Sequence, residues 1–366
     1  MRVGILTYHR AENYGALLQA YATMTYLKSQ GYDVEFVDYW PKYHSDYFSL
    51  FPWIRFKRGG LRTKIAIILN LLLWSIPMAV RKSRLQRFMH ERLCLEKKPL
   101  YTQNTEKTRK YDAVVYGSDQ IWRKQHLGGV EFDDWYFGSG QVQAEKKIVY
   151  AGSMGVIDTT DDDNRYVQDM MRHFQHISVR EKGLQNYLQT LGISSSLVID
   201  PVFLLKRDQW LKIVEPVKIG HDYIFYYNLL NSPESTRFVR ALSRQTGLPV
   251  IEVNKNLSQR AWHSNYVMAA SVERFLGLLS GAAYVVCNSF HGVAFSIIFE
   301  KAFWAVGMGK KAERVTSLLA ELDLSERYVN DKRQPILSNI DYPIVSSRIN
   351  NLVAASAGYL NSSFAS

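Results

Sequence analysis

Arg2-Val3-Gly4-Ile5-Leu6-Thr7 opens the chain as a short apolar strand, and the patterns on its carboxyl side set the architecture. Ala16, Leu17, Ala20, Met24 and Leu27 recur at helical spacing, and Gly31 stands where a helix C-cap would fall. Val34, Phe36 and Val37 then form a second apolar run that ends at Asp38. A strand, a helix and a second strand over so short a stretch is a β-α-β unit. Units of this kind imply a mostly parallel sheet with helices on its faces.

The rhythm breaks for an excursion over about residues 41–101 and then resumes. Apolar runs at 113–116, 148–150, 177–179 and 197–199 read as further strands, the last halted by Asp200-Pro201. After a polar stretch near 206–222 the pattern starts again, with strands at 223–227, 250–253, 284–287 and 303–306. The clearest helices among these run over 272–280 and 293–299. Two such sets predict two Rossmann-like α/β domains facing each other across a cleft. The first is placed at 1–205, with a basic, apolar insertion at about 41–105. The second is placed at 206–345, and a C-terminal helix or tail at 346–366. The last eleven positions, 356–366, are mostly small and polar and are expected to fray.

Composition bounds the function. Of 366 residues, 47% are hydrophobic and 22% charged, a balance that excludes wholesale disorder. Cys94 and Cys287 are the only cysteines and sit in no metal or redox spacing, so a reducing compartment is expected. The N-terminus begins as a strand, without a charged segment followed by an apolar one, so the chain is expected to be cytoplasmic and unprocessed.

The charge of +11 is uneven. Residues 53–92 hold ten bases (Arg55, Lys57, Arg58, Arg62, Lys64, Arg81, Lys82, Arg84, Arg87, Arg92) against Glu91 alone, a local +9 that leaves about +2 for the rest. Within this stretch, residues 65–80 carry no charge. That run is short for a spanning helix and bordered by bases on both sides, which predicts a helix lying on an anionic membrane surface. The competing reading is a core helix or an interface helix of an oligomer. Nucleic acid is not expected as a partner, because no motif of that kind accompanies the bases.

Several turns after strands hold residues suited to chemistry. Asn13-Tyr14-Gly15 opens the first helix, where free N–H groups favour anions, and Asn13 also suits a plain cap. Gly117-Ser118-Asp119-Gln120-Ile121-Trp122 places an acid where α/β sheets bind ligands, and Asp119 could equally cap a helix opening at Gln120. Ser153 lies in the turn Tyr150-Ala151-Gly152-Ser153-Met154-Gly155, whose amides suit phosphate or carboxylate. Arg180, in Ser178-Val179-Arg180-Glu181, presents a fork that matches such oxygens two at a time, or an ion pair with Asp200. His291, in Asn288-Ser289-Phe290-His291-Gly292, sits at a strand-to-helix junction where it can transfer protons. Gly292 beside it implies a close approach to the backbone. Arg314, in Lys310-Lys311-Ala312-Glu313-Arg314, either reaches an anionic ligand or lies on a solvated helix face.

Taken in order over residues 3 to about 322, these segments together with Asp200-Pro201-Val202-Phe203-Leu204-Leu205 resemble the polysaccharide pyruvyltransferase family. The resemblance implies a fold similar to two-domain GT-B glycosyltransferases. It also implies transfer of a pyruvyl group from phosphoenolpyruvate to a sugar, as a ketal, in cell-surface polysaccharide synthesis. In that scheme His291 is the general acid and Asp119 the base. Arg180, Arg314, Ser289, Ser153 and Gly292 hold the donor, and Asn13, Tyr14 and Trp122 the acceptor. Neither a metal nor a cofactor beyond phosphoenolpyruvate is expected. The acceptor implied is a sugar, in many members lipid-linked, met at the inner face of the cell membrane. Many members carry arginine where Ser289 stands here, so a nucleotide-sugar glycosyltransferase and a non-catalytic assembly scaffold are the alternatives.

Overall fold

The computed structural model describes residues 1–125, 131–254, 265–309, 312–330 and 334–365, apart from the side chains of residues 54 and 55. Lys310, Lys311 and Ser366 lie outside the described residues. The chain divides into two compact units. The first comprises Met1–Ser45, Met89–Leu205 and Ser347–Ser366, and the second Asp46–Phe88 and Lys206–Ser346.

The first unit begins with β1 (Arg2–Leu6), α1 (Tyr14–Ser29) and β2 (Asp33–Phe36), as the opening residues predict. The excursion then forms α2 (Lys42–Tyr47), α3 (Trp53–Arg58) and the long α4 (Leu61–Leu93). The alternation resumes with β3 (Tyr111–Tyr116), β4 (Ala144–Gly152), α5 (Asp161–Met171), β5 (His176–Val179), α6 (Lys182–Thr190) and β6 (Ser196–Leu197). Among the described residues these strands form one parallel sheet in the order β2-β1-β3-β4-β5-β6. The order reverses between β1 and β3, and a crevice opens at the carboxyl ends of strands at such a point.

The second unit continues with α7 (Arg207–Leu211), β7 (Ile224–Tyr227), α8 (Pro233–Thr246), β8 (Val250–Val253) and β9 (Tyr266–Val267). It then runs through α9 (Val272–Ser280), β10 (Tyr284–Cys287), α10 (Phe290–Ile298), β11 (Ala302–Val306), α11 (Glu313–Glu321) and β12 (Tyr328–Val329). Its sheet, also parallel, has the order β12-β11-β10-β7-β8-β9 and reverses between β7 and β10. Val285, Val286 and Cys287 of β10 have no exposed surface, as expected for an interior strand covered on both faces.

Two boundaries differ from the sequence expectation. Residues 46–88, expected within an insertion of the first domain, cluster with the second unit. The C-terminal tail does not fray: α12 (Tyr342–Ala365) runs through it, and its last part belongs to the first unit. Serine and aromatic side chains together make that packing. Ser356 Oγ accepts a hydrogen bond from the Ile199 amide at 3.0 Å, and the Tyr359 hydroxyl donates to the Val149 carbonyl at 2.8 Å. The Phe364 ring stacks on Tyr32 at 4.5 Å.

Beyond β2, Asp38 is buried and held by neighbours from β1's outgoing loop. Arg10 donates through Nε at 2.5 Å and Nη2 at 2.6 Å, and His9 Nε2 lies 3.2 Å away. Burial alone would raise the carboxyl, but the Arg10 and His9 contacts outweigh it and hold Asp38 at about 2. A carboxylate lowered on folding adds stability above its ordinary value of 3.8 and loses it as pH falls toward the folded value. The contribution is about 2 kcal/mol, so the thermal midpoint should drop between about pH 4 and pH 2. Asp38→Asn should flatten that part of a melting-temperature profile.

Candidate active site

The turns at the two switch points are built differently. In the first unit they form a continuous buried polar chain. Gln19, on α1, donates to Thr7 Oγ1 at 2.9 Å and accepts from the Ser118 amide at 3.2 Å, tying the turn after β1 to the turn after β3. Gly117 holds φ +118 there, and a Cβ would fall 2.2 Å from the Tyr150 carbonyl oxygen, so only glycine fits. The Ser118 hydroxyl stands 3.4 Å from both Asp200 Oδ2 and Arg180 Nη1.

Arg180 pairs with Asp200 through Nη1, and its Nε lies 3.6 Å from Glu181. Burial favours the neutral form of this guanidinium, but Asp200, Glu181 and Asp119 prevail and raise its pKa. Its side chain is only 2% exposed. Of the two roles open to Arg180 from sequence, the ion pair is therefore the one present, and the residue serves its own unit's acids before any ligand.

Other expected ligand contacts are corrected in the same way. The Ser153 hydroxyl is buried and donates to Glu181 at 2.5 Å, which occupies it within the protein. Trp122 has no exposed surface; its Nε1 donates to the Tyr136 carbonyl at 3.0 Å, and its ring packs on Phe137 and on Gly152. Tyr14 is buried as well. Both rings are packed into the core. Asn13 caps α1 by accepting from the Gly15 amide at 2.9 Å and stays half-buried.

Asp119 is half-buried and takes the Gln120 amide at 2.7 Å. A turn follows it, with no helix opening at Gln120. Its charge acts on Tyr8 and Tyr136, which join a cluster that sequence reasoning missed. Tyr39 and Tyr43 donate to buried Asp133 at 2.8 and 2.7 Å, and Tyr8 meets His44 edge-on at 4.6 Å. Burial, aided by the Arg123 charge, pushes His44 down to about 3, so its ring is neutral near pH 7. The chain's 23 tyrosines were the available signal, but their convergence depends on loops far apart in sequence.

In the second unit, His291 lies one residue inside the amino end of α10, beside the β7/β10 reversal. Ser289 is the N-cap residue, and its side chain makes no capping bond. Asn288 secures the turn: its Oδ1 accepts from the Leu229 and Leu230 amides at 2.7 and 3.1 Å, and its Nδ2 donates to Asn228 at 3.1 Å. Asn228 in turn donates to buried Glu252 at 2.9 Å. Arg314, for which a solvated helix face was one expectation, is half-buried, with its guanidinium 5.5 Å from the centre of the Phe290 ring. That cation–π contact brings a positive charge to the residue preceding His291.

Gly292 has a packing cause. A Cβ there would stand 2.8 Å from Cys287 Cβ and 3.3 Å from Tyr227, so the close approach inferred from sequence is made by the protein's own strands. Gly292→Ala should cost about 1–3 kcal/mol by overpacking, despite alanine's better helix propensity. Denaturant titration would show it. Burial pushes the Cys287 thiol up to about 12, which leaves it inert.

Two parallel sheets, each with polar turns at its reversal point, define a doubly wound α/β protein of the Rossmann type. Similar solved structures include the Methanocaldococcus jannaschii UDP-GlcNAc 2-epimerase in complex with UDP-GlcNAc and UDP, at TM-score 0.47 and 10% identity over 96% of this chain and 93% of that one. The E. coli heptosyltransferase WaaC has TM-score 0.39 and 12% identity, covering 96% and 99%. The glycosyltransferase SnogD from Streptomyces nogalater has TM-score 0.41 and 9% identity, covering 99% of each chain. No curated protein matches the sequence. A family model described as polysaccharide pyruvyl transferase matches residues 13–309, and the chain belongs to that family of transferases acting in polysaccharide modification.

Proposed function

We propose that this transferase moves a pyruvyl group from phosphoenolpyruvate onto two hydroxyls of a sugar, forming a cyclic ketal. The observation that carries the reading is the placing of His291 at the amino end of α10, with the Arg314 charge over the adjacent Phe290 ring. An imidazole suits proton transfer, and a helix amino end with a neighbouring guanidinium suits a carboxylate or a phosphate.

His291 donates a proton to the methylene carbon of the donor, and positive charge develops on the carbon bearing the phosphate. A sugar hydroxyl adds there and gives up its proton. The carbon–oxygen bond to phosphate then breaks, and a second hydroxyl closes the ring. One hydroxyl proton leaves with the phosphate and the other restores His291. Arg314 and the α10 amides hold the donor's anionic groups, with Ser289 at the same turn. Arg180 is a positioning residue: it anchors Ser118, and its charge lies near Asp119. Asn13 and Asp119, both half-buried in the first unit, remain candidates for holding a sugar.

The test is phosphate release from phosphoenolpyruvate in the presence of galactoside or mannosamine acceptors, whether free or lipid-linked. A second reading, a glycosyltransferase with a nucleotide-sugar donor, is favoured by Ser289 standing where many members have arginine. Ligand binding raises apparent stability by about 2.7 kcal/mol at a hundredfold excess over Kd. A thermal shift with phosphoenolpyruvate and none with nucleotide sugars is the expected result; the reverse selects the second reading.

A further inference from the structure

We propose that α4 is a membrane-docking element that lays one apolar face on an anionic lipid surface, independently of which donor the enzyme uses. With roughly 100° between successive helical residues, Ile65, Leu69, Leu72, Ile76 and Val80 fall within an arc of about 80°. All five are exposed, Leu72 by 75% and Ile76 by 78%. Ile67, Trp74 and Leu85 lie about 180° away on the same helix and are buried. The helix is therefore apolar on two faces, and the protein covers one of them. Only 11% of its most apolar window is buried.

Charge identifies the occupant. Arg62 and Arg87 fall on the same line as the exposed strip, one beyond each end, and both are exposed. No acid occurs between Asp46 and Glu91. A second copy of the chain packed antiparallel on this strip would set Arg62 of one helix against Arg87 of the other, with no carboxylate on either to pair them. A bilayer containing anionic lipid resolves the same pattern, since acyl chains receive the leucines while the arginines reach headgroup phosphates. The second unit also has a cavity of about 690 Å³ beside this helix, walled by Arg84, Arg87 and Trp74 and by Tyr266 and Arg274. Arg84 is turned toward the Ala269 carbonyl and Arg274 toward Glu215, while Arg87 belongs both to the cavity wall and to the line of the strip. That recess gives a headgroup phosphate room at this end of the strip.

Spanning does not fit. The uncharged run covers about 24 Å, shorter than a hydrocarbon core of about 30 Å. Ile67 and Trp74 in that run are buried against protein, so lipid cannot reach every side of it.

The test is flotation of the full chain with vesicles of phosphatidylcholine alone or mixed with phosphatidylglycerol, with light scattering of the lipid-free protein alongside. The expected result is flotation with the anionic vesicles, weakened by salt and reversed by alkaline wash. Leu72→Ser/Ile76→Ser should lower partition at least about tenfold. Arg62→Gln/Arg87→Gln should remove the preference for anionic lipid. All four side chains are exposed, so an unchanged melting temperature verifies that each variant is folded. Flotation that is absent, or equal for parent and variants, overturns the proposal. So does resistance to alkaline wash, which would mean spanning, or a stable dimer that the leucine-strip variant turns into monomer.

Discussion

His291→Ala is expected to slow phosphate release from phosphoenolpyruvate by about 10²- to 10⁴-fold, the range supplied by one positioned acid. The loss should appear in kcat, with KM for phosphoenolpyruvate little changed, because the proposed protonation of the methylene carbon belongs to the transition state and not to binding. Arg314→Gln should do the opposite and raise KM more than it lowers kcat, since a charge that holds the donor acts in the ground state too. A His291→Ala enzyme that keeps full rate would remove the imidazole from the mechanism while leaving the family and fold untouched.

The second large effect is on stability. Asp200→Ala leaves the Arg180 guanidinium buried with its principal counter-charge gone, and breaking a buried pair from one side costs about 3–5 kcal/mol. Glu181 at 3.6 Å offsets part of this, which places the expectation toward the lower end. Replacing both partners, as in Arg180→Met/Asp200→Leu, should recover much of the loss, because no isolated charge remains. Equilibrium denaturation of the two variants makes the comparison. If Asp200→Ala is as stable as the parent, the pair does not anchor the turn. Activity adds a separate readout: a positioning role for Arg180 predicts reduced kcat in the double variant even where stability returns.

Local pattern carried much of the architecture. Strands 250–253 and 284–287 and helix 272–280 match β8, β10 and α9 in both boundaries, because buried parallel strands are short continuous apolar runs and capped helices show their period. The position of His291 was legible for the same reason, since a histidine four residues after such a strand, where a helix begins, stands near the sheet's carboxyl edge. Trp122 and Ser153 were misjudged because a motif shows which residues share a turn but not which way each side chain points. Trp122 turned inward to the core and Ser153 toward Glu181.

Order along the chain was enough to specify two α/β sets, a basic excursion with an uncharged apolar centre, and the succession of the polar turns, all of which depend on neighbours within a few residues. Packing in three dimensions was needed to decide that Arg180 pairs with Asp200, to show that Gly292 makes room for Cys287, and to finish residues 356–365 as a helix that does not fray. It was also needed to show that α4 leaves one of its two apolar faces uncovered. One cause underlies all four: burial and ion pairing depend on distance and direction in space, which the spacing of residues along the chain does not fix.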